Sequence, residues 1–239
     1  MRITRWTPHS LWPIAVCALL AGCFEVDTSA RFDPQGQAKV KVEFAVSAEL
    51  MALASNPQFQ KDGESPVDWM SKCGEEIPSS QDQKGVKSVK TTPGQRSGMF
   101  TCTIDAEVAD PIEAIKSARE KKPGGPDVSI EKLPGAQGYR IAATLAPPAD
   151  GPFNSNKPED QFATSIAMAM FANRFITITL QGVRVENHNG ELSPDETKAV
   201  WKIPLLGVIG PGANRPFEIK ADVIYAEPWY ISLKRKIFG

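Results

Sequence analysis

The first stretch of the chain that can fold alternates apolar and polar residues on both sides of a turn motif. The turn is DPQG at residues 33–36, with FEVDTSARF before it and QAKVKVEFAVS after it. In the second segment the apolar residues at even positions from Val40 to Val46 fall on one face, and charged residues fall between them. Period-two alternation around a Pro-Gly turn is typical of a β-hairpin with one buried face. The sequence therefore predicts a hairpin over residues 24–47.

The same reasoning predicts further strands along the chain. Segments rich in β-branched or alternating residues lie at 85–92, 98–108, 127–133, 137–145, 174–186, 196–205 and 216–226. Turn sequences join several of them: PGQRSG at 93–98, NHNG at 187–190, and a Gly/Pro-rich stretch at 207–216. Because Asn189-Gly190 is a standard hairpin dipeptide, NHNG is expected to be a tight turn between antiparallel strands.

Helices are predicted at four places. Residues 48–55 and 65–73 form two short candidates, and residues 159–173 carry an apolar stripe at helical spacing. The strongest pattern is at 110–122, where Asp110 can cap the helix, Pro111 suits its first turn and Glu113 completes a capping-box pattern. A loop rich in Pro, Gly and Asn at 146–158 is the expected hinge.

These elements predict an α+β fold. Hairpin turns dominate, and the regular β-α-β alternation of a doubly wound sheet is missing. We expect an antiparallel sheet of about 7–9 strands built from hairpins and covered by two or three helices. Residues 23–239 are expected to form a single domain, a length that can bury a sizeable core.

The N-terminal 22 residues read as a signal peptide. Arg2 and Arg5 are positive, residues 11–20 are mostly apolar, and Ala21-Gly22 end the segment with small residues. About twenty apolar residues are needed to span a bilayer, and this core is about half as long. It therefore predicts export rather than a transmembrane anchor.

The residues Leu20-Ala21-Gly22-Cys23 resemble the lipobox of bacterial lipoproteins, in which cleavage before the cysteine leaves it as the lipid-bearing N-terminus. The resemblance implies lipid attachment at Cys23 and an anchor in a bacterial membrane, with the alternative of a plain signal peptide. The mature chain carries 25 basic and 28 acidic residues, since two of the 27 basic residues lie in the signal. Such a balance, without a basic cluster, argues against a nucleic-acid partner.

After Cys23 two cysteines remain, Cys73 and Cys102. An even pair in an exported protein predicts a disulfide, which would close a loop of about 30 residues. Two free thiols and a metal site are the alternatives. A metal site is disfavoured because the sequence has no closely spaced ligand pair such as C-x-x-C.

The inventory for catalysis is poor. His188 is the one histidine of the mature chain, and it lies in the NHNG turn, where it needs no function. No Walker loop, G-x-S-x-G elbow or zinc-hydrolase motif is present. We therefore expect no catalytic residue, no metal, no cofactor and no enzymatic activity.

The predicted 159–173 helix suggests a ligand site. It carries Phe162, Ile166, Met168, Met170 and Phe171. Methionines adapt to varied apolar ligands, and a helix lying across an antiparallel sheet is one way to build an apolar cavity. Plain core packing is the alternative interpretation of the same residues.

Two regions together resemble bacterial lipoproteins of the LppM type. One is the lipobox followed by the first hairpin, GCFEVDTSARFDPQGQAKVKVEFAV, and the other is FITITLQGVRVENHNGELSPDETKAVWKIPL. The resemblance implies an exported lipoprotein with an α+β domain, a link to lipids or the cell envelope, and no established enzymatic activity.

The expected protein is thus a non-enzymatic lipoprotein of the cell envelope, held by its N-terminal lipid on the extracytoplasmic, periplasmic side of a bacterial membrane. Its expected role is to bind a lipid or another apolar ligand. The alternative is a structural or assembly partner of another envelope protein. The choice between inner and outer membrane stays open.

Overall fold

The structure is a computed structural model, and it describes residues 24–54, 73, 83–121, 127–146, 165, 168, 171–209 and 215–227. Strands and helices follow one another in these ranges as β1 (Phe24–Phe32), β2 (Ala38–Ser47), α1 (Ala48–Ala54), β3 (Val86–Arg96), β4 (Met99–Val108), α2 (Pro111–Lys121), β5 (Asp127–Lys132), β6 (Gln137–Leu145), β7 (Phe175–Gln181), β8 (Arg184–Glu186), β9 (Glu191–Leu192), β10 (Lys198–Pro204), α3 (Leu205–Ile209) and β11 (Phe217–Ala226).

The described strands form two sheets. The seven-stranded sheet has the order β3-β4-β2-β1-β7-β10-β9, and the four-stranded sheet has the order β5-β6-β11-β8. β1 and β7 run parallel, and the other paired strands run antiparallel. The fold is α+β, as the sequence predicts, but the expected single antiparallel sheet is wrong in two respects. There are two sheets, and the larger one contains a parallel pair.

The division into two sheets arises at Gly182. The segment 174–186, expected to be one strand, is β7 in the larger sheet and β8 in the smaller one. Between them the backbone N–H of Val183 donates to the carbonyl oxygen of Ile224 at 2.8 Å. A Cβ on Gly182 would lie 2.5 Å from that same oxygen, so the crossing needs glycine.

The first hairpin is confirmed. β1 and β2 pair from Phe24 opposite Val46 to Phe32 opposite Ala38. In the turn, Asp33 Oδ1 accepts hydrogen bonds from the backbone N–H groups of Gln35 and Gln37, at 3.0 and 2.9 Å. Gly36 adopts φ 79°, a left-handed conformation that glycine adopts without strain.

The hairpin of β3 and β4 is tighter than expected. Its turn is Ser97-Gly98, with φ values of 51° and 80°, so residues 93–96 belong to β3 rather than to a loop. Two residues with positive φ fit a two-residue hairpin turn. Pro93 is tolerated because β3 is an edge strand among the described strands.

The NHNG segment is not the predicted hairpin turn. It leads from β8 in the smaller sheet to β9 in the larger one, and neither Asn189 nor Gly190 has positive φ. The hairpin of this region joins β9 to β10 through residues 193–197, where Asp195 accepts hydrogen bonds from the hydroxyls of Ser193 and Thr197.

Two of the four predicted helices are confirmed. α1 matches the expected helix at 48–55, and α2 starts as predicted, with Asp110 Oδ1 accepting from the N–H groups of Ile112 and Glu113. In a capping box the Glu113 side chain would accept from the Asp110 N–H. Here the Asp110 N–H donates to the carbonyl oxygen of Gly85. α3 was not predicted. The helix at 65–73, most of that at 159–173 and the hinge at 146–158 lie outside the described residues, apart from Cys73, Ala146 and five positions in 159–173.

The core lies between the inner faces of the two sheets. Trp201, Ile203 and Leu180 come from the larger sheet, and Tyr139, Ile219 and Val223 come from the smaller one. The outer face of the larger sheet is polar, as the pairing of Lys39 with Glu107 and of Lys41 with Asp105 illustrates. This burial follows the alternation read from the sequence.

Candidate functional site: an apolar cavity between the sheets

A cavity of about 380 Å³ lies between the two sheets. The larger sheet lines it with inward-facing residues of β1, β2, β4 and β7, and the smaller sheet with residues of β5, β6 and β11. α2 adds three more. The described lining residues are Thr28, Ala30, Phe32, Ala38, Val40, Val108, Pro111, Ala114, Ile115, Val128, Ile130, Ile141, Ala143, Leu145, Ile178, Leu180 and Ile219.

The chemistry of this lining is almost uniformly apolar. The Thr28 hydroxyl is the one polar side-chain group among the described lining residues, and none of them titrates. The volume falls in the range of about 300–1,000 Å³ that ligand pockets occupy. An apolar engineered cavity of about 150 Å³ already binds benzene. The arrangement can hold a hydrocarbon group among its described lining residues.

Small side chains create the space. Ala30 on β1, Ala38 on β2 and Ala143 on β6 each line the cavity where a larger residue would fill it. These three alanines belong to inward-facing positions of their strands, next to branched residues such as Val40 and Ile141. The cavity is therefore a consequence of residue size at a few core positions.

α2 closes one side of the cavity through Pro111, Ala114 and Ile115. Its start is held against the segment before β3, because the carbonyl oxygen of Gly85 accepts hydrogen bonds from the N–H groups of Ala109 and Asp110. Gly85 has φ 80°, and a Cβ there would lie 2.5 Å from the carbonyl oxygen of Asp110. Glycine at this position thus permits the close approach that places α2 over the cavity.

An aromatic cluster packs next to the cavity, on the side of the first hairpin turn. Phe32 lines the cavity and packs on Tyr139 with ring centroids 5.6 Å apart, and Tyr139 packs on Tyr225 at 5.0 Å. The Tyr139 hydroxyl donates to the carbonyl oxygen of Gly36 at 2.9 Å. Burial raises the pKa of Tyr139 to about 12, so the phenol is neutral at physiological pH.

The residues that the sequence proposed as ligand contacts are elsewhere or outside the described residues. Phe162, Ile166 and Met170 are outside them. Met168 is 41% exposed, and Phe171 packs edge-on against Phe24 with centroids 6.2 Å apart. Neither is among the described lining residues of the cavity, and their contact with a ligand stays a prediction.

The cysteine prediction is confirmed for the inner pair. Cys73 and Cys102 form a disulfide, with Cα atoms 6.1 Å apart. Cys102 lies on β4 opposite Phe44, so the bridge attaches residue 73 to the strand next to the edge strand β3 of the larger sheet. Cys23 immediately precedes the described residues, and its lipidation stays a prediction.

The described residues include His188 and a number of Asp and Glu side chains that could in principle bind a metal ion. The Nδ1 of His188 lies 2.9 Å from the carbonyl oxygen of Gly190, a local contact in the crossing segment. No group of three or more His, Cys, Asp and Glu residues in the described part of the chain is arranged to hold a metal ion.

None of the helices described here is long and apolar enough to cross a membrane.

A second concavity, of about 500 Å³, lies on the polar outer face of the larger sheet. Its charged side chains are Arg31, Lys39, Lys41, Lys90, Asp105 and Glu107. Lys39 lies 3.8 Å from Glu107, and Lys41 lies 3.0 Å from Glu43. The surface is therefore one of mixed, mutually neutralising charges rather than a site of one sign.

Comparison with known proteins gives one structural similarity to report. No family model matches the chain, and no curated protein matches it. The fold is similar to the NMR structure of the folded domain of LppM from Mycobacterium tuberculosis, with 12% sequence identity and a TM-score of 0.46 over 95% of this chain and 98% of that one.

Proposed function

We propose that the protein is a lipid-anchored lipoprotein of the cell envelope that binds a lipid acyl chain, or a ligand of similar apolar character, in the cavity between its two sheets. The observation that carries the proposal is the cavity itself. It has about 380 Å³ of space and an apolar lining contributed by both sheets and α2. An apolar recess of this size, lined from two sheets and a helix, has the dimensions and chemistry of a ligand pocket.

The proposed location rests on the N-terminus. The lipobox-like residues Leu20 to Cys23 follow a short apolar signal core, and β1 begins at Phe24. A bacterial lipoprotein carries its acyl chains on that cysteine, and two or more chains give stable anchoring. The chain would then face the extracytoplasmic side, where the Cys73–Cys102 disulfide can persist.

The proposal assigns no enzymatic activity. It is supported by the chemistry of the cavity, whose described lining lacks acids, bases and thiols. General acid–base and nucleophilic catalysis both need such a group within hydrogen-bonding reach of the substrate. A bound acyl chain would be held there without being modified.

The alternative role, assembly with another envelope protein through a sheet edge, has weaker support. β3 is the long edge strand of the described larger sheet, with eleven residues. It carries Lys87, Lys90 and Pro93, and its pairing with β4 is irregular between Val86 and Ser88. Lysine, proline and irregular pairing are the features by which edge strands avoid adding a further strand.

Ligand binding is tested with the chain from Phe24 onward, exported behind a cleavable signal that lacks a lipobox. Cis-parinaric acid is the probe, because its fluorescence rises on entering an apolar site, and palmitate is the competitor. Ala143→Leu fills part of the cavity. It is expected to weaken probe binding about tenfold or more, since overpacking costs roughly 1–3 kcal/mol.

Ala142→Leu is the matched control, because Ala142 is the preceding residue on β6 and faces the opposite side of the sheet. It should leave probe binding unchanged. Ala143→Leu should also keep or raise the urea midpoint of the free protein, since filling a cavity commonly adds about 0.5–2 kcal/mol. Equal binding by both variants, or no saturable binding by the wild type, refutes the ligand proposal.

A further inference from the structure

The parallel pairing of β1 and β7 brings two chain positions to one end of the larger sheet. Val26 pairs with Ile176, so β1 and β7 both start at this end, with Phe24 and Phe175 as their first residues. The Ser97-Gly98 turn lies at the same end, because β3 ends at Arg96 and β4 begins at Met99. This is the end of the sheet next to Cys23.

Apolar side chains lie at this end on both faces of the larger sheet, since strand alternation places Phe24 on the inner face and Phe175 on the outer face. Phe175 is 42% exposed and Met168 is 41% exposed, two of the four large apolar side chains that are exposed among the described residues. Phe171 lies between Met168 and Phe175 in the chain and packs edge-on against Phe24. We call these four residues, Phe24, Met168, Phe171 and Phe175, the anchored-end apolar surface.

Two arginines pair with Glu25 at this end, Arg96 with a half-exposed side chain and Arg174 with a side chain that is only 11% exposed. Arg96 Nη2 lies 2.9 Å from a carboxylate oxygen of Glu25, and Arg174 Nη1 lies 3.9 Å from the other. Glu25 follows Phe24, and Arg174 precedes Phe175. The exposed Arg96–Glu25 pair next to apolar rings matches the boundary between acyl chains and headgroups of a bilayer.

The short separation between Cys23 and β1 limits how far the anchored-end apolar surface can lie from the membrane. One peptide unit separates Cys23 from Phe24, and neighbouring Cα atoms are about 3.8 Å apart. If Cys23 carries acyl chains, its own position is fixed at the bilayer interface. Phe24 then has no linker with which to move away from the lipid, and Phe175, on the neighbouring strand, starts at the same level.

We propose that the anchored-end apolar surface inserts into the interface of the bilayer that holds the Cys23 lipid, and so orients the domain with β1 and β7 pointing away from the membrane. The inference rests on the lipid anchor of the proposed function and adds a protein surface to it. The cavity begins at Thr28, about 13 Å along β1 from Phe24, so a ligand held there lies outside the bilayer.

The test uses the full-length protein, purified from membranes and reconstituted into phosphatidylcholine vesicles that contain a phosphatidylcholine with a diazirine on its acyl chain. After irradiation, mass spectrometry locates the cross-linked residues, and the intact mass reports acylation of Cys23. Cross-links are expected at Phe171 and Phe175. Phe175→Ser is expected to reduce those in the 171–176 region about fivefold, as less apolar surface enters the lipid.

Val183→Ser is the matched control. Val183 is also exposed, at 38%, but it follows the far end of β7, about 20 Å or more along the strand from Phe175. It should acquire no cross-link, and its substitution should leave the labelling at 171–176 unchanged. Both variants should keep the wild-type urea midpoint, since both side chains are substantially exposed.

The outcomes separate this inference from the proposed function. Acylated Cys23 without cross-links at 171–176, or equal labelling around Phe175 and Val183, overturns the inserted surface and leaves the anchor standing. An unacylated Cys23 refutes the anchor and the inserted surface together. A co-purified protein that shields Phe175 from the lipid probe overturns the inference in favour of a protein partner.

Discussion

The side-chain oxygen of Asn189 accepts a hydrogen bond from the indole Nε1 of Trp201 at 2.8 Å. The same oxygen accepts the backbone N–H of Lys220 at 2.9 Å, and the Asn189 amide nitrogen donates to the carbonyl oxygen of Glu218 at 2.8 Å. Trp201 belongs to β10 of the larger sheet, while Lys220 and Glu218 belong to β11 of the smaller one. One asparagine side chain therefore links the two sheets beside the crossing segment.

Asn189→Ala is expected to lower the free energy of unfolding by about 2 kcal/mol. Trp201 is 2% exposed, and a buried donor left without an acceptor costs roughly 1–3 kcal/mol. Urea unfolding followed by tryptophan fluorescence measures the change. Glu191→Ala, at an exposed position two residues away, is the control and should stay within about 0.5 kcal/mol of wild type. Equal midpoints for Asn189→Ala and wild type would show that the link does not stabilise the fold.

Gly190→Ala tests the close packing of the same segment. A Cβ on Gly190 would lie 2.6 Å from the Trp201 ring and 2.8 Å from the carbonyl oxygen of Val200, so backbone or ring must move. We expect a loss of about 1–3 kcal/mol in urea unfolding, as in other overpacked sites. Gly207→Ala is the matched control, because its Cβ would meet Pro204 at an ordinary 3.9 Å. Within α3 alanine is favoured over glycine, so this control should be neutral or stabilising by up to about 1 kcal/mol.

Local sequence patterns predict the parts of this fold that depend on interactions between residues close in the chain. Alternation reports which face of a strand is buried, and the hairpin at 24–47 follows from it. The start of α2 follows from Asp110-Pro111, because the cap and the first turn involve neighbouring residues. The Cys73–Cys102 disulfide agrees with the pairing expected from an even cysteine count in a chain predicted to be exported.

The parts of the fold that depend on contacts between residues far apart in the sequence could not be predicted from local patterns. Gly182 looks like a glycine within one strand, and the approach of Ile224 that requires it comes from another sheet. The Asn189-Gly190 dipeptide has the composition of a hairpin turn, but its partners are Trp201, Lys220 and Glu218. The cavity forms where small residues from separate strands come together. No single sequence segment contains these residues, so the cavity could not be predicted from a local pattern.

Removing the disulfide should destabilise the protein without rearranging the sheet. The double variant Cys73→Ala, Cys102→Ala frees a loop of about 30 residues in the unfolded chain, which predicts a loss of about 3–4 kcal/mol. Urea midpoints of the oxidised wild type, the reduced wild type and the double variant provide the measurement. The last two should agree with each other. A double variant as stable as the oxidised wild type would contradict the prediction.

The buried Asp222 should make stability depend on acidic pH. Its two carboxylate oxygens accept hydrogen bonds from Arg140 Nε and Nη2, each at 2.9 Å, and one also accepts from the Asn187 amide at 2.8 Å. The hydrogen bonds from Arg140 lower the pKa of Asp222, and they outweigh burial, which raises it. Because the folded pKa is below the unfolded value of about 3.9, this stabilisation is present above that pH and is lost as the pH falls through the folded pKa.

Two variants check this assignment. Asp222→Asn removes the titrating group, and Arg140→Gln removes the main cause of its lowered pKa. Both are expected to flatten the decline in stability below pH ~4, measured as urea midpoints across the acidic range. An Arg140→Gln profile that falls as steeply as the wild type would show that another group carries the acid sensitivity.

Tyr139 should make stability depend on alkaline pH in the opposite direction. Burial raises its pKa to about 12, and the nearby Tyr225, Asp110 and Asp33 add to the shift by disfavouring a negative charge. The unfolded chain loses this proton near pH 10, so the stabilisation is fully present below about pH 10 and is lost as the pH rises through the folded pKa. Tyr139→Phe should remove this alkaline dependence.

The same substitution also deletes the hydrogen bond to the carbonyl oxygen of Gly36, so at neutral pH it should cost about 1 kcal/mol. The difference between the tyrosinate absorbance of wild type and variant during a pH titration isolates Tyr139, with an expected midpoint near 12. Urea midpoints at several alkaline pH values give the stability profile. A difference titration centred near pH 10 would mean that the phenol is accessible to water and would contradict the burial of Tyr139 in the aromatic cluster.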